Sequence, residues 1–240
     1  MFSLFFINGC SHSAGSEIEG SGIGEGPFNR ENCFGSQIAK YLGIDKINLS
    51  YPGGSNDYIL NSTILWCLEN PQQAKNTYFL IHWTSANRTD IYTKSFKSPK
   101  YQDWIFDSNY GHVHADHYCP NFEIEDQPYV KKLSKYLFLN ETNWEINKFL
   151  NIIKLQTFFQ NNNYDYSFHN AFTPCKQDKR FKKYVQLINQ NKFKNMFDQN
   201  ETFYYWALNQ GHDIAGQKYW HHKLPAHIEY ANKLINTLFV

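Results

Sequence analysis

The chain carries a serine at a position where it could attack a carbonyl carbon. An apolar run over positions 2–7 stops at Asn8, and a Gly-Cys-Ser sequence follows at residues 9–11. An apolar strand that ends in this way presents a hydroxyl at the carboxyl edge of a sheet, where open α/β folds keep their ligands. A serine hydroxyl is a weak nucleophile until a base removes its proton, so Ser11 requires a histidine from elsewhere in the chain.

The other end of the chain supplies such histidines just before a predicted terminal helix. His221 and His222 lie in the sequence Tyr-Trp-His-His-Lys at 219–223, and His227 follows within the first turn of that helix. The pattern therefore predicts nucleophilic catalysis, with Ser11 as nucleophile and a C-terminal histidine as base. Without further information, Ser11 could instead be a helix N-cap, and the histidines could be surface or capping residues.

The elements that must position these residues alternate between strands and helices. Apolar runs predict strands at 2–8, 46–49, 77–83 and 164–168, and helical spacing predicts helices at 33–42, 57–69, 141–160, 181–200 and 225–239. Strand, helix and strand in succession imply right-handed parallel crossovers, which makes the fold class α/β with a central parallel sheet. No sustained period runs from 90 to 128, so we expect an irregular insertion at about 90–140.

Composition restricts the partners of the chain. The 240 residues carry a formal net charge of +1, which provides no field to attract nucleic acid or an anionic membrane. We interpret the basic stretch 176–183 as a solvated helix face. The five cysteines show no paired spacing, which predicts free thiols in a reducing compartment. We also find no signal peptide and no membrane-span pattern, so we expect a soluble protein of the cytoplasm. The Asn- and Lys-rich composition is typical of an AT-rich bacterial or phage genome.

Four short blocks in this order resemble those of the SGNH (GDSL-type) hydrolases. Gly9-Cys10-Ser11 stands where that family has Gly-Asp-Ser, and Pro-Gly-Gly-Ser-Asn at 52–56 is similar to its second block. Asn87 follows the third strand, and a histidine precedes the last helix. The resemblance implies a flavodoxin-like three-layer sandwich, formed by residues 1–240 as one domain.

The resemblance also implies the roles of the site residues. Ser11 would be the nucleophile, and its own N–H, the N–H of Gly53 and the amide of Asn87 would bind the oxyanion, with Gly54 as the alternative to Gly53. His221 would be the base, with His222 as the fallback. Lys218 stands where the family has its aspartate, so the acid must come from elsewhere, Asp213 being nearest in sequence, or Ser11 and His221 act as a dyad.

The function that follows is hydrolysis of an ester without a cofactor or metal. We expect the substrate to be a small molecule or carbohydrate ester from which acetyl or another short acyl group is removed, and the sequence leaves the oligomeric state open. Asn56, Trp83, Arg88 and Trp220 are the substrate-binding candidates, although core packing is the more common role for residues such as the two tryptophans. The alternative is a catalytically silent carbohydrate-binding or structural module on an SGNH scaffold.

Two other motifs have competing interpretations. The segment His112-Val113-His114-Ala115-Asp116-His117-Tyr118-Cys119 contains zinc-compatible ligands, and alternate residues of an extended segment would place His112, His114 and Asp116 on one side. Its spacing matches no established metal motif, and we interpret it as a solvated or cleft-lining loop. The glycine-rich stretch 20–26 lies well beyond the first strand, so a dinucleotide site is disfavoured and a loop beside Ser11 is expected.

Overall fold

A parallel four-stranded sheet forms the centre of the molecule. The computed structural model describes residues 2–18, 27–92, 110–114, 141–214 and 221–239, of which 89–92 and 110–114 are described by their backbone alone. The strands of the sheet are β1 Leu4–Asn8, β2 Asp45–Asn48, β3 Thr77–Trp83 and β6 Asp165–Asn170. Their order is β2-β1-β3-β6, and every neighbouring pair is parallel.

The helices cover both faces of this sheet. They are α1 Ser11–Ala14, α2 Pro27–Asn32, α3 Phe34–Leu42, α4 Asn56–Glu69, α5 Pro71–Ala74, α6 Glu141–Asn161, α7 Lys182–Val185, α8 Phe203–Asn209 and α9 Leu224–Leu238. Side chains of β1 alternate between two cores, because successive residues of a strand point to opposite faces. Phe6 packs with residues of α4 and α6 on one face, whereas Phe5 and Ile7 pack with residues of α3, α8 and α9 on the other.

The predicted α/β class and three-layer arrangement are therefore confirmed. β2 lies on one side of β1, and β3 and then β6 lie on the other side. The order in which strands are added to the sheet therefore reverses at β1, so that the loops after neighbouring strands separate at its carboxyl end. Open α/β folds bind their ligands at this kind of position. Ser11 begins the helix that follows this end directly.

Three sequence-based predictions of elements were wrong. The region 181–200 holds only short turns and the four-residue helix α7, so the basic stretch 176–183 is not the face of a long helix. The region assigned to an irregular loop contains two strands, β4 Arg88–Tyr92 and β5 Tyr110–His114, which pair antiparallel. Helix α8 was not predicted; it has only seven residues, of which Phe203, Tyr204 and Ala207 are buried, so it is too short for its spacing to stand out as a helical period.

No helix within the described ranges combines the length and apolarity needed to cross a bilayer.

Candidate active site

Ser11 is held at the carboxyl end of β1 by close backbone packing. A Cβ added to Gly9 would lie 2.9 Å from the Cβ and 3.0 Å from the carbonyl oxygen of His82 on β3, so only glycine fits here. Before it, the buried Asn8 donates to Ser62 and Thr63 of α4 over 2.8 and 2.9 Å. These contacts fix the strand end from which the chain turns into α1.

The hydroxyl of Ser11 contacts the imidazole of His221. The Oγ atom lies 2.7 Å from His221 Nε2, although the two residues are 210 positions apart. Ser11 is 6% exposed, so it is largely shielded from solvent. The N-cap of α1 is Cys10 rather than Ser11, and no side chain caps that helix. The serine hydroxyl is therefore available to a base, and the N-cap interpretation of Ser11 is not supported.

Glu17 supplies a carboxylate on the far side of His221. Its Oε2 atom lies 2.8 Å from His221 Nδ1, and its side chain is 3% exposed. The backbone of Glu17 has φ of +62°, a conformation that costs a residue with a Cβ about 1–2 kcal/mol. The preceding helix ends at Gly15, whose φ of +78° starts the turn that brings the chain back beneath His221. Ser11, His221 and Glu17 thus form a hydrogen-bonded chain with the geometry of a catalytic triad.

Asp213 is not part of this chain of contacts, contrary to the sequence-based choice of acid. Its carboxylate lies 3.6 Å from Lys223 Nζ, and its side chain is 79% exposed. Proximity to His221 in sequence was the only argument for Asp213, whereas the turn after α1 brings Glu17 close from 204 positions away. The family's Asp position, Lys218, lies outside the described residues.

The other two C-terminal histidines are structural in their contacts. His222 is buried, its Nε2 donates to the carbonyl oxygen of Tyr204 over 3.0 Å, and its Nδ1 lies 3.4 Å from the carbonyl oxygen of Asp213. His227 accepts from the N–H of Phe34 over 3.2 Å. Burial lowers the pKa of both, that of His227 to about 3. Of the three, only His221 contacts Ser11.

The loop that carries Gly53 packs against the turn before Ser11. Tyr51 donates its N–H to the carbonyl oxygen of Gly9 over 3.0 Å, and Gly54 donates its N–H back to Tyr51 over 2.8 Å. Gly54 is thereby occupied, whereas within the described part of the chain no hydrogen bond uses the N–H of Gly53 or of Ser11. Of the two glycines, Gly53 is therefore the one whose N–H is not used by another group among the described residues. Asn87 lies in the turn after β3, half-buried.

Two of the substrate-binding candidates have structural roles instead. Asn56 is buried, donates to the carbonyl oxygen of Ser85 over 3.1 Å and accepts from the N–H of Thr84 over 3.0 Å. It therefore shapes the loop that leads to Asn87. Trp83 is fully buried in the core, where its ring meets Phe168 edge to face. Core packing, the alternative held open for Trp83, is what the structure shows, and Trp220 lies outside the described residues.

His12 is a site residue that sequence reasoning missed. Its ring lies 5.0 Å from that of His221 between centroids, and the rings of Phe172, Phe203 and Tyr204 surround it. Burial, followed by the neighbouring charges of His221, His222 and Arg88, lowers its pKa well below the ordinary value. His12 is therefore neutral near pH 7. The only sequence signal for His12 was its position directly after Ser11. The only signal for Glu17 was that it is a carboxylate a few residues further along the same segment.

The competing motifs fall largely beyond the described side chains. His112 and His114 lie on β5, of which only the backbone is described, and Asp116, His117, Cys119 and the glycine-rich stretch 20–26 lie outside the described residues. Among the described side chains, no three histidine, cysteine or acidic residues are grouped to hold a metal ion. The contacts that are present suit proton transfer between a hydroxyl, an imidazole and a carboxylate.

Comparisons with solved structures return esterases at low similarity. The psychrotrophic esterase EstA from Pseudoalteromonas sp., in a structure inhibited by monoethylphosphonate, is 13% identical with a TM-score of 0.49, and the match covers 98% of this chain and 96% of that one. A carbohydrate esterase, whose active site is described as having divergent catalytic and non-catalytic binding functions, is 15% identical with the same TM-score, over 98% of this chain and 64% of that one. At these values neither likeness is evidence about the activity of this chain.

No curated protein matches the sequence. A family model with the description "Family of unknown function (DUF6071)" matches residues 19–186, which is more than half of the chain. The matched segment includes the second block and Asn87, and it contains neither Ser11, Glu17 nor His221. The chain belongs to the family of unknown function DUF6071.

Proposed function

We propose that this protein is a serine hydrolase that cleaves esters by acyl transfer through Ser11. The observation that carries the proposal is the chain of contacts from Ser11 Oγ to His221 Nε2 at 2.7 Å and from His221 Nδ1 to Glu17 Oε2 at 2.8 Å. His222, by contrast, makes its ring hydrogen bonds within the described residues to backbone carbonyl oxygens. A serine, a histidine and a buried carboxylate in series are instead the arrangement that activates a hydroxyl.

In the first step, His221 takes the proton of Ser11 while Oγ bonds to the ester carbonyl carbon. The tetrahedral oxyanion accepts hydrogen bonds from the N–H groups of Ser11 and Gly53 and from the amide of Asn87. The bond to the alcohol oxygen then breaks, and His221 gives its proton to that leaving group. Glu17 stabilises the imidazolium that exists between these two transfers and keeps Nε2 directed at Ser11.

In the second step, water releases the acyl group. His221 removes a proton from the water as its oxygen bonds to the acyl carbon, the bond to Ser11 Oγ breaks, and the serine recovers its proton. The acid leaves with the added hydroxyl. This mechanism agrees with the resemblance to SGNH hydrolases, with one change: the acid comes from the loop after the nucleophile.

The substrate we propose carries a short acyl group, such as the acetyl of a carbohydrate or of a small ester. The aromatic rings of Phe172 and Tyr204 lie 5.9 Å from the ring of His12. Apolar and aromatic walls with few polar groups are typical of sites for small organic molecules.

The test is hydrolysis of 4-nitrophenyl acetate by the wild type and by Ser11→Ala and His221→Ala. We expect both variants to lose at least about a thousandfold in kcat. Ser13→Ala is the matched control, because Ser13 is buried in the same helix and its hydroxyl has no hydrogen-bond partner. Full activity in Ser11→Ala would overturn the proposal. No hydrolysis by the wild type of any short acyl ester would favour the silent binding module.

A further inference from the structure

Arg88 stands at the start of β4, on the loop that leaves the carboxyl end of β3. Its N–H donates to the carbonyl oxygen of Ser85 over 3.3 Å. The hydroxyl of Ser85 is hydrogen-bonded to that of Thr173 over 2.8 Å, and Asn56 holds the carbonyl of the same serine. The backbone that carries Arg88 is therefore fixed at the same sheet edge as Ser11.

The guanidinium of Arg88 is partly buried. Its Nε and Nη1 atoms are inaccessible to solvent and make no hydrogen bond within the described part of the chain. The terminal nitrogens of the other two arginines have partners: Arg30 donates from Nη1 and Nη2 to the carbonyl oxygens of Asn48 and Ser50, and Arg180 Nη2 pairs with Asp178 at 2.7 Å. A guanidinium keeps its charge at any ordinary pH, so leaving its buried donors unpaired costs free energy that a bound anion would recover.

Burial and then the neighbouring His221 and His222 lower the pKa of His12, and the charge of Arg88 adds a smaller contribution in the same direction. The Nδ1 atom of His12 is also buried without a hydrogen-bond partner, and its ring lies 5.0 Å from that of His221. The carboxylate of Glu17, in the turn after Ser11, is engaged by His221. Arg88, at the same edge of the sheet as Ser11, and His12, directly after Ser11 in the chain, thus both carry buried nitrogens without a hydrogen-bond partner among the described residues.

We propose that Arg88 and His12 form a subsite for a carboxylate carried by the ester substrate. This inference rests on the proposed function, and it narrows the substrate class to esters with a negative charge a few bonds from the scissile carbonyl. Arginine suits this task because its planar fork matches the two oxygens of a carboxylate. The carboxylate can belong to the acyl group or to the alcohol, and substrates can distinguish the two.

The experiment compares pairs of esters that differ in charge. On the acyl side, the 4-nitrophenyl monoester of glutarate is paired with 4-nitrophenyl valerate, and on the alcohol side 4-acetoxybenzoate is paired with its methyl ester. For each pair, the kcat/KM of the charged ester is divided by that of the neutral ester. In Arg88→Gln we expect this ratio to fall about tenfold or more for one of the pairs, through a higher KM for the charged ester. Arg88→Lys should recover part of the lost preference for the charged ester. Arg180→Gln is the matched surface control and should leave the ratio at the wild-type value.

A binding measurement keeps this inference separate from the proposed function. Calorimetry of monomethyl glutarate and of 4-acetoxybenzoate with Ser11→Ala should give affinity for at least one of them, and addition of Arg88→Gln should weaken it about tenfold or more. Unchanged ratios and unchanged binding in Arg88→Gln would overturn the subsite even if the wild type is an active esterase. Binding that depends on Arg88 in a protein that hydrolyses no ester would support the subsite and overturn the hydrolase.

Discussion

Replacing Glu17 by glutamine tests how the triad is assembled. The change keeps the length of the side chain and the φ of +62°, and it removes the negative charge that faces His221 Nδ1 at 2.8 Å. An amide can present its NH₂ group to the ring, which favours the tautomer with the proton on Nε2, where it cannot accept the proton of Ser11. The imidazolium of the intermediate also loses its counter-charge.

The magnitude follows from the burial of the pair. Glu17 is 3% exposed and the His221 side chain 13%, so water cannot replace the lost carboxylate. In a buried triad of this kind, the change from acid to amide lowers kcat by about 10² to 10⁴, which is about 3 to 5 kcal/mol of transition-state stabilisation. KM should stay within about threefold, because Glu17 acts through His221 as a positioning residue and is not expected to touch the substrate.

The assay is steady-state hydrolysis of 4-nitrophenyl acetate, with unfolding by urea as a check on stability. Glu229→Gln is the matched control, because Glu229 pairs with His212 at 3.2 Å on the surface, away from Ser11. Asp213→Asn tests the rejected acid and should retain wild-type kcat, and Glu17→Asp should recover part of the lost rate. A kcat for Glu17→Gln within threefold of the wild type, or a large loss in Asp213→Asn, would refute the reasoning.

Three further outcomes follow from the structure. Gly9→Ala should lower the free energy of unfolding by about 1–3 kcal/mol, because its Cβ would meet His82 at 2.9 Å, and an unchanged urea midpoint would contradict this. Trp83→Phe should cost about 1–3 kcal/mol of stability and leave the KM for 4-nitrophenyl acetate unchanged, since Trp83 is a core residue; a raised KM at full stability would return it to the substrate site. Burial lowers the pKa of His169 and His227 in the folded protein to about 3. In the unfolded chain both histidines have an ordinary pKa near 6.5, so below about pH 6.5 the unfolded chain binds more protons than the folded protein. Stability should therefore be full above about pH 6.5 and fall by up to about 2 kcal/mol per histidine at pH 5, and equal urea midpoints at pH 5 and 7 would contradict it.

The sequence predicted the elements that hold the sheet together, because buried strands are continuous apolar runs. The strand 77–83 was located to the residue, and β1 differs only in its first two positions. The alternation of strands and helices along the chain was then sufficient to predict that the strands of the sheet are parallel. The segment 181–200 was mistaken for a helix because scattered aromatic residues imitate helical spacing, whereas Phe181 and Phe193 pack into the core from separate short turns.

The contact between Ser11 and His221 was predicted from sequence, whereas the partner of His221 was missed because it depends on tertiary contact. Ser11 follows a strand and His221 precedes the last helix, so the regular elements indicated their places. The partner of His221 depends on the turn at Gly15 and on a positive φ at Glu17, neither of which leaves a periodic pattern. Proximity in sequence favoured Asp213 instead, and only the folded chain distinguishes the two.

The most direct test of an activated Ser11 is the intact mass of the protein after incubation with a fluorophosphonate. Wild type, Ser11→Ala and Ser13→Ala are treated alike. The triad geometry predicts one adduct on the wild type and on Ser13→Ala, and none on Ser11→Ala, because only the hydroxyl bonded to His221 at 2.7 Å is activated. No adduct on the wild type, or an adduct that persists in Ser11→Ala, would contradict the proposal.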